Sequence, residues 1–292
     1  MYLRSRQSFN GAFCFYRSDY VDEPNLHDTY HAVAALTVLG ECVPRVDELI
    51  RFLHHFEPRA PRHLFYQTFT LDLLGQASSI AAERLARIGD LSLDPPRCHP
   101  GAPTSDWLRS SLQVIRLKEH FAHLDAQPRL ARFVENLGTA GGFGSKPNLG
   151  DTFLCLSILS LLGPLRDVHR ARAFVDDLQI PSFGFTLTRD SLVANLEVIH
   201  AGLECCALLR LATRYPRDIV AFTLASQTSN GGFGRAPSTL PSIELTHSAI
   251  EILARVDPDA FHPSAGAEAA ADHLPRSTPN QARASLATRS IS

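Results

Sequence analysis

Four pairs of polar side chains stand three or four residues apart in otherwise apolar stretches: Asp28 with His31, Asp151 with Cys155, His200 with Glu204, and Glu244 with His247. On an α-helix that spacing puts both members of a pair on one face. A carboxylate beside an imidazole is equipment for general acid–base catalysis, so Asp28, His31, Glu244 and His247 are the candidate catalytic residues. Each pair can also be a local cap or hydrogen bond that satisfies a buried polar group. If the helices carrying the pairs converge, their N-termini add partial positive charge. That favours a diphosphate or a carboxylate at the same place.

The elements that must position these pairs announce themselves as a repeat. Three segments share one frame: NGAFCFYRSDYVDEPNLHDTYHAVAALTVLG from Asn10, GGFGSKPNLGDTFLCLSILSLLG from Gly141, and GGFGRAPSTLPSIELTHSAIEILARV from Gly231. Each has a Gly-aromatic turn, a loop with proline, and a Thr followed seven residues later by a Leu: Thr29 and Leu36, Thr152 and Leu159, Thr246 and Leu253. Glycine supplies positive φ at the turn and the aromatic ring pins it. Asp28-Thr29 and Asp151-Thr152 sit where an N-cap or first helical turn belongs. The run after each is apolar on most faces, as in AVAALTVL, so that helix is buried on several sides. A more amphipathic helix follows, over 46–55 after the first repeat and 167–178 after the second.

Weaker copies at 65–75, 107–121 and 196–212 read as further inner helices. Six hairpins result, and six closed in a ring make an all-α fold, an α/α toroid over residues 1–262. An open helical solenoid is the other arrangement of such hairpins. Its helices would be amphipathic, whereas these inner ones are apolar nearly all round. Residues 263–292, rich in Ala, Ser, Pro and Arg, read as a disordered tail.

The remaining composition excludes more than it assigns. A net charge of −2 gives no electrostatic reason to expect nucleic acid or an anionic membrane as partner. No apolar run is long enough to span a bilayer. The N-terminus lacks an apolar stretch of the secretory kind. Six scattered cysteines with no CxxC pair predict reduced thiols and a cytoplasmic location. Walker and dinucleotide phosphate loops, a Gly-x-Ser-x-Gly elbow and a His-Glu-x-x-His motif are all missing from the sequence.

The GGFG…P…DT…L…LLG pattern resembles the repeats of the superfamily that holds protein prenyltransferase β subunits and squalene or diterpene cyclases, with the β subunits nearest. The likeness extends to about Val256. In those β subunits an Asp, a Cys two residues later and a His on the next inner helix hold zinc, which activates a thiol to attack an isoprenoid diphosphate in the barrel. Carried over, the resemblance puts Asp151 on the Asp position and His200 on the His position. Phe153 stands where the Cys belongs, and Cys155, one turn beyond Asp151, is the substitute ligand it implies. Lys146 lies near the place of a diphosphate-binding cation, with magnesium as a companion of that substrate. Phe65, Trp107 and Phe153 are the aromatics expected nearest the isoprenoid. A helical α-subunit-like partner is implied as well.

The cyclase branch carries Asp-x-Asp-Asp-Thr. Asn25-Leu26-His27-Asp28-Thr29 and Asn148-Leu149-Gly150-Asp151-Thr152 take that frame without its protonating carboxyl group. Three readings follow: a prenyltransferase β-like enzyme, a cyclase relative using Asp28 or His27 as acid, and a non-catalytic toroid that binds lipid or protein.

Overall fold

The structure is a computed structural model and describes residues 2–17, 22–95, 105–139, 141–144, 146–166 and 168–258. Twelve α-helices among these residues form two concentric layers. The first is the short α1 (Tyr2–Ser5), which leads into α2 (Leu26–Val38), α3 (Val46–His55) and α4 (Pro61–Leu73). Then come α5 (Ala82–Gly89), α6 (Ser105–Phe121), α7 (Pro128–Glu135) and α8 (Leu149–Leu162). The chain ends its described course with α9 (His169–Asp177), α10 (Leu196–Leu209), α11 (Pro216–Ala225) and α12 (Ile243–Val256).

The even-numbered helices are the inner layer. Each packs on the next, and α12 closes on α2, so the array is a ring rather than an open solenoid. The inner helices α2, α8 and α10 are apolar nearly all round, because one flank meets the outer layer and two meet neighbours in the ring, whereas α6 keeps Asp106, Arg109 and Arg116 exposed. Val33 and Leu36 of α2, Leu49 and Leu53 of α3, and Ile243 and Ile250 of α12 share one buried cluster that joins layer to layer and last helix to first. The toroid expected from the repeat is the fold observed. The tail expected over 263–292 lies outside the described residues, as does Cys98.

One local device recurs where an outer helix turns into an inner one. Asn25, Asn148, Asn195 and Ser242 are extended N-cap residues whose side chains accept a backbone N–H three residues on. Asp28 and Asp151 therefore occupy the first turn and leave the cap position to asparagine. The hydroxyl of Thr29 donates to the Asn25 carbonyl at 2.6 Å and accepts the Phe13 N–H at 2.9 Å. Thr152 does the same for Asn148 and Phe143 at 2.7 and 3.1 Å, and Thr246 for Ser242 and Phe233 at 2.7 and 3.0 Å. The repeated Thr is thus the rivet between helix start and Gly-Phe turn. Gly142, with φ of +116°, lies where a Cβ would come within 2.7 Å of the Phe174 ring, so glycine is required there.

Candidate functional site

The polar pairs do not stay within their own helices. His31 of α2 turns from Asp28 to α12, and its Nδ1 lies 3.0 Å from Nδ1 of His247. Nε2 of His247 lies 3.5 Å from Oε1 of Glu251, one turn further along α12. The second Glu251 oxygen meets Nε2 of His200, on α10, at 3.0 Å. Three inner helices thereby contribute to one continuous chain: His31, His247, Glu251, His200. Beside it, Glu204 stands 3.8 Å from His200 and is held at 2.5 Å by Arg255.

The charges in this chain follow from burial and neighbours. Burial alone would raise the Glu251 carboxyl, but the charges of His247, His200 and His31 outweigh it and hold the group down at about 2. Burial disfavours the charged form of His200, yet the hydrogen bond and charge of Glu251 more than offset that and raise its pKa. Burial and then His247 and His27 hold His31 well below the usual imidazole range. His247 is lowered too, by burial first, against the pull of Glu251. The resting state is an imidazolium–carboxylate pair at one end and two neutral imidazoles at the other.

The tautomers follow by assignment from the hydrogen bonds. The Glu251 carboxylate favours a proton on His247 Nε2, which leaves its Nδ1 as acceptor. His31 Nδ1 is then the donor, and His31 Nε2 carries a free lone pair.

Two tyrosine rings, Tyr30 and Tyr66, lie beside the His31 ring. Tyr30 stacks edge-on to His31 at 5.1 Å and to Phe65 at 5.7 Å, and Tyr66 meets His27 at 5.1 Å. Burial pushes the Tyr30 phenol up to about 12, so it stays protonated. On the far side, Phe153 of α8 meets His200 edge-on at 6.4 Å. Phe153 thus lies beside the polar chain, and Phe65 lies one ring away from it, against Tyr30. Trp107 instead packs against Phe133 of the outer helix α7 at 5.1 Å and lines a cleft of about 350 Å³ with Pro61, Leu93 and Val114.

The residues on which the resemblance places zinc do not fit one ion. Asp151 Oδ1 accepts from the Ser105 hydroxyl at 2.6 Å, and Oδ2 from the Asn148 amide at 2.8 Å. Cys155 is fully buried in the core between α6 and α8, where burial and then Asp151 push its thiol far up. His200 spends its Nε2 on Glu251. Asp28 resembles Asp151: its Oδ2 takes a 2.6 Å bond from the Asn25 amide, which gives it a capping task. Glu244 faces His27 across the α2–α12 seam, Nε2 to Oε2 at 3.6 Å. Lys146 is exposed in the loop before α8.

Sequence reasoning pairs Asp28 with His31 and Glu244 with His247, takes His27 only as an acid of the cyclase reading, and misses Glu251 and the contact of His27 with Glu244. Both carried a signal, since Glu251 is four residues after His247 and His27 four before His31.

A ring of six inner helices with this Gly-Phe–Thr rivet is the prenyltransferase toroid architecture. The chain belongs to the prenyltransferase alpha-alpha toroid domain family, whose model matches residues 1–87 and 193–275, more than half of its length. The helices α2, α10 and α12 that carry the polar chain lie within those residues, whereas Lys146, Asp151, Phe153 and Cys155 lie between them. Among solved structures it is similar to Candida albicans protein geranylgeranyltransferase-I complexed with GGPP, at 15% identity over 81% of this chain and 85% of that one, with a TM-score of 0.59. That is a likeness of fold. Comparison with curated protein sequences gives no match. No helix among the described residues is long and apolar enough to cross a membrane.

Proposed function

We propose that this chain is a prenyltransferase β-subunit-like enzyme that binds an isoprenoid diphosphate inside the ring and transfers its prenyl group, with the reacting centre on α2, α10 and α12. The observation that carries the reading is the chain of His31, His247, Glu251 and His200, set beside aromatic rings in this family's fold. Similarity to a GGPP-bound neighbour supports the ligand class.

The prenyl group would lie against Phe65, Tyr30 and Phe153, since a developing allylic cation is stabilised by ring faces. The diphosphate would lie at the inner-helix N-termini, where free N–H groups favour anions. Lys146 would supply a cation at that rim, and magnesium would arrive as the diphosphate's counter-ion. The free nitrogen of His31 would take the proton of the attacking acceptor. His247 and Glu251 would fix the His31 tautomer as positioning residues. No step is drawn through zinc at Asp151, Cys155 and His200, because those side chains have other tasks. A helical α-subunit-like partner and the cytoplasmic location expected from the scattered cysteines belong to the same proposal.

The test is calorimetric titration with geranylgeranyl diphosphate. Submicromolar binding by the wild type, weakened at least about tenfold by Phe153→Asp with its extra buried charge, is the expected result. Equal binding by both proteins would place the ligand elsewhere and refute the reading.

A further inference from the structure

At the mouth of the ring, three donors from two helices converge without satisfying one another. His27 and His31 are four residues apart and so share one face of α2, and Glu244 reaches them from the first turn of α12. One ligand atom from each lies within 4.8 Å of the other two. The His27–Glu244 contact of 3.6 Å is too long for a hydrogen bond. A tetrahedral ion with bonds of about 2.0–2.2 Å asks for donor separations of roughly 3.4 Å. Side-chain rotations supply that contraction, because His27 and Glu244 keep 38% and 43% of their side-chain surface exposed.

We propose that His27, His31 and Glu244 bind a single divalent transition-metal ion, zinc or cobalt in class, at the mouth of the barrel. Two imidazoles and one carboxylate form a borderline-soft set that suits zinc over magnesium or calcium, and three protein donors leave a fourth position open. The surroundings of His31 match this role. Its Nδ1 is bound to His247, which in turn faces Glu251, and a metal-bound imidazole is usually oriented by such an outer partner on its other nitrogen. The partial exposure of His27 and Glu244 is the entry path. The ion would use the lone pair that bare His31 offers to a proton. The site shares no residue with the set that the family resemblance assigns to zinc.

A bound ion would occupy the His31 nitrogen that the proposed transfer uses as its base, so metal binding is tested by itself, in an experiment that contains no isoprenoid. Purified full-length protein is stripped with a chelator and titrated with cobalt(II), followed by its visible ligand-field spectrum and by calorimetry. One ion per chain with a tetrahedral spectrum is expected. His27→Ala and Glu244→Gln should each weaken binding by at least about tenfold, while Asp151→Asn and Cys155→Ser leave it unchanged. Circular dichroism melts confirm that each variant is folded, and His27→Gln repeats the test if His27→Ala is not. Undiminished binding in the His27 and Glu244 variants overturns the proposal. So does absence of binding to the wild type at micromolar cobalt, or a loss confined to the Asp151 and Cys155 variants. None of these outcomes bears on geranylgeranyl diphosphate affinity, so the two readings fail separately.

Discussion

Glu251 is the residue on which the electrostatics of the inner wall turn, because three imidazoles compete for its charge. Its partner His200 has a folded pKa above its ordinary 6.5, so its contribution to stability is complete below that value and is lost as pH rises through the folded one. Glu251 works the other way: its contribution is present above 4.5 and is lost as pH falls toward about 2. Between these limits the pair is intact. Glu251→Gln should therefore lower the titration midpoint of the His200 ring, measured by its carbon-bound proton resonance. It should also bring the alkaline fall in melting temperature to lower pH. A His200 midpoint that stayed put would show that Glu251 does not govern it. Cys155 offers a contrasting case. As a fully buried thiol it acts as an apolar core residue, and Cys155→Ser, which buries a hydroxyl, should cost about 1–3 kcal/mol in chemical denaturation. These residues were legible from the sequence as chemical types, but their partners were not. Asp28 looked like a partner of His31, yet Asn25 claims it locally, and His31 finds His247, 216 positions away, only because the ring closes.

At three of the six inner helices, α2, α8 and α12, the unit of construction is a Gly-aromatic turn and an inner helix riveted by one threonine. Thr152→Val keeps the shape but leaves the Phe143 N–H and the Asn148 carbonyl without their shared hydroxyl. We expect a loss of about 1–3 kcal/mol in denaturant unfolding. Asn148→Ala should cost about 1 kcal/mol, as other N-cap losses do. A neutral Thr152→Val would mean that the turn holds without its rivet. This layer was the most readable in the sequence. The Thr-to-Leu frame, the glycines and the apolar runs each follow from local rules, and the inner helices at 61–73, 105–121 and 196–209 fall where the weaker copies put them. Trp107 shows the limit of that reading. A large aromatic near a helix N-terminus fits either layer, and only the three-dimensional contact with Phe133 of α7 shows which way Trp107 turns.

Closure of α12 on α2 makes six hairpins one cooperative body, and it also assembles the polar chain and the mouth site, since each draws residues from both of those helices. Ile243, fully buried at that seam, tests closure. Ile243→Ala should destabilise by about 2–5 kcal/mol and lower one single unfolding transition. An open solenoid would instead fray from its C-terminal end in a separate phase. The central claim is that an isoprenoid diphosphate sits against the inner wall formed by α2, α10 and α12. Its most direct measurement is the histidine side-chain NMR spectrum of isotopically labelled protein during addition of geranylgeranyl diphosphate. The account predicts that the ring resonances of His31, His200 and His247 move together and saturate, while those of the outer-layer His54 and His55 stay fixed. If the ligand binds and the three inner rings do not move, the claim is contradicted.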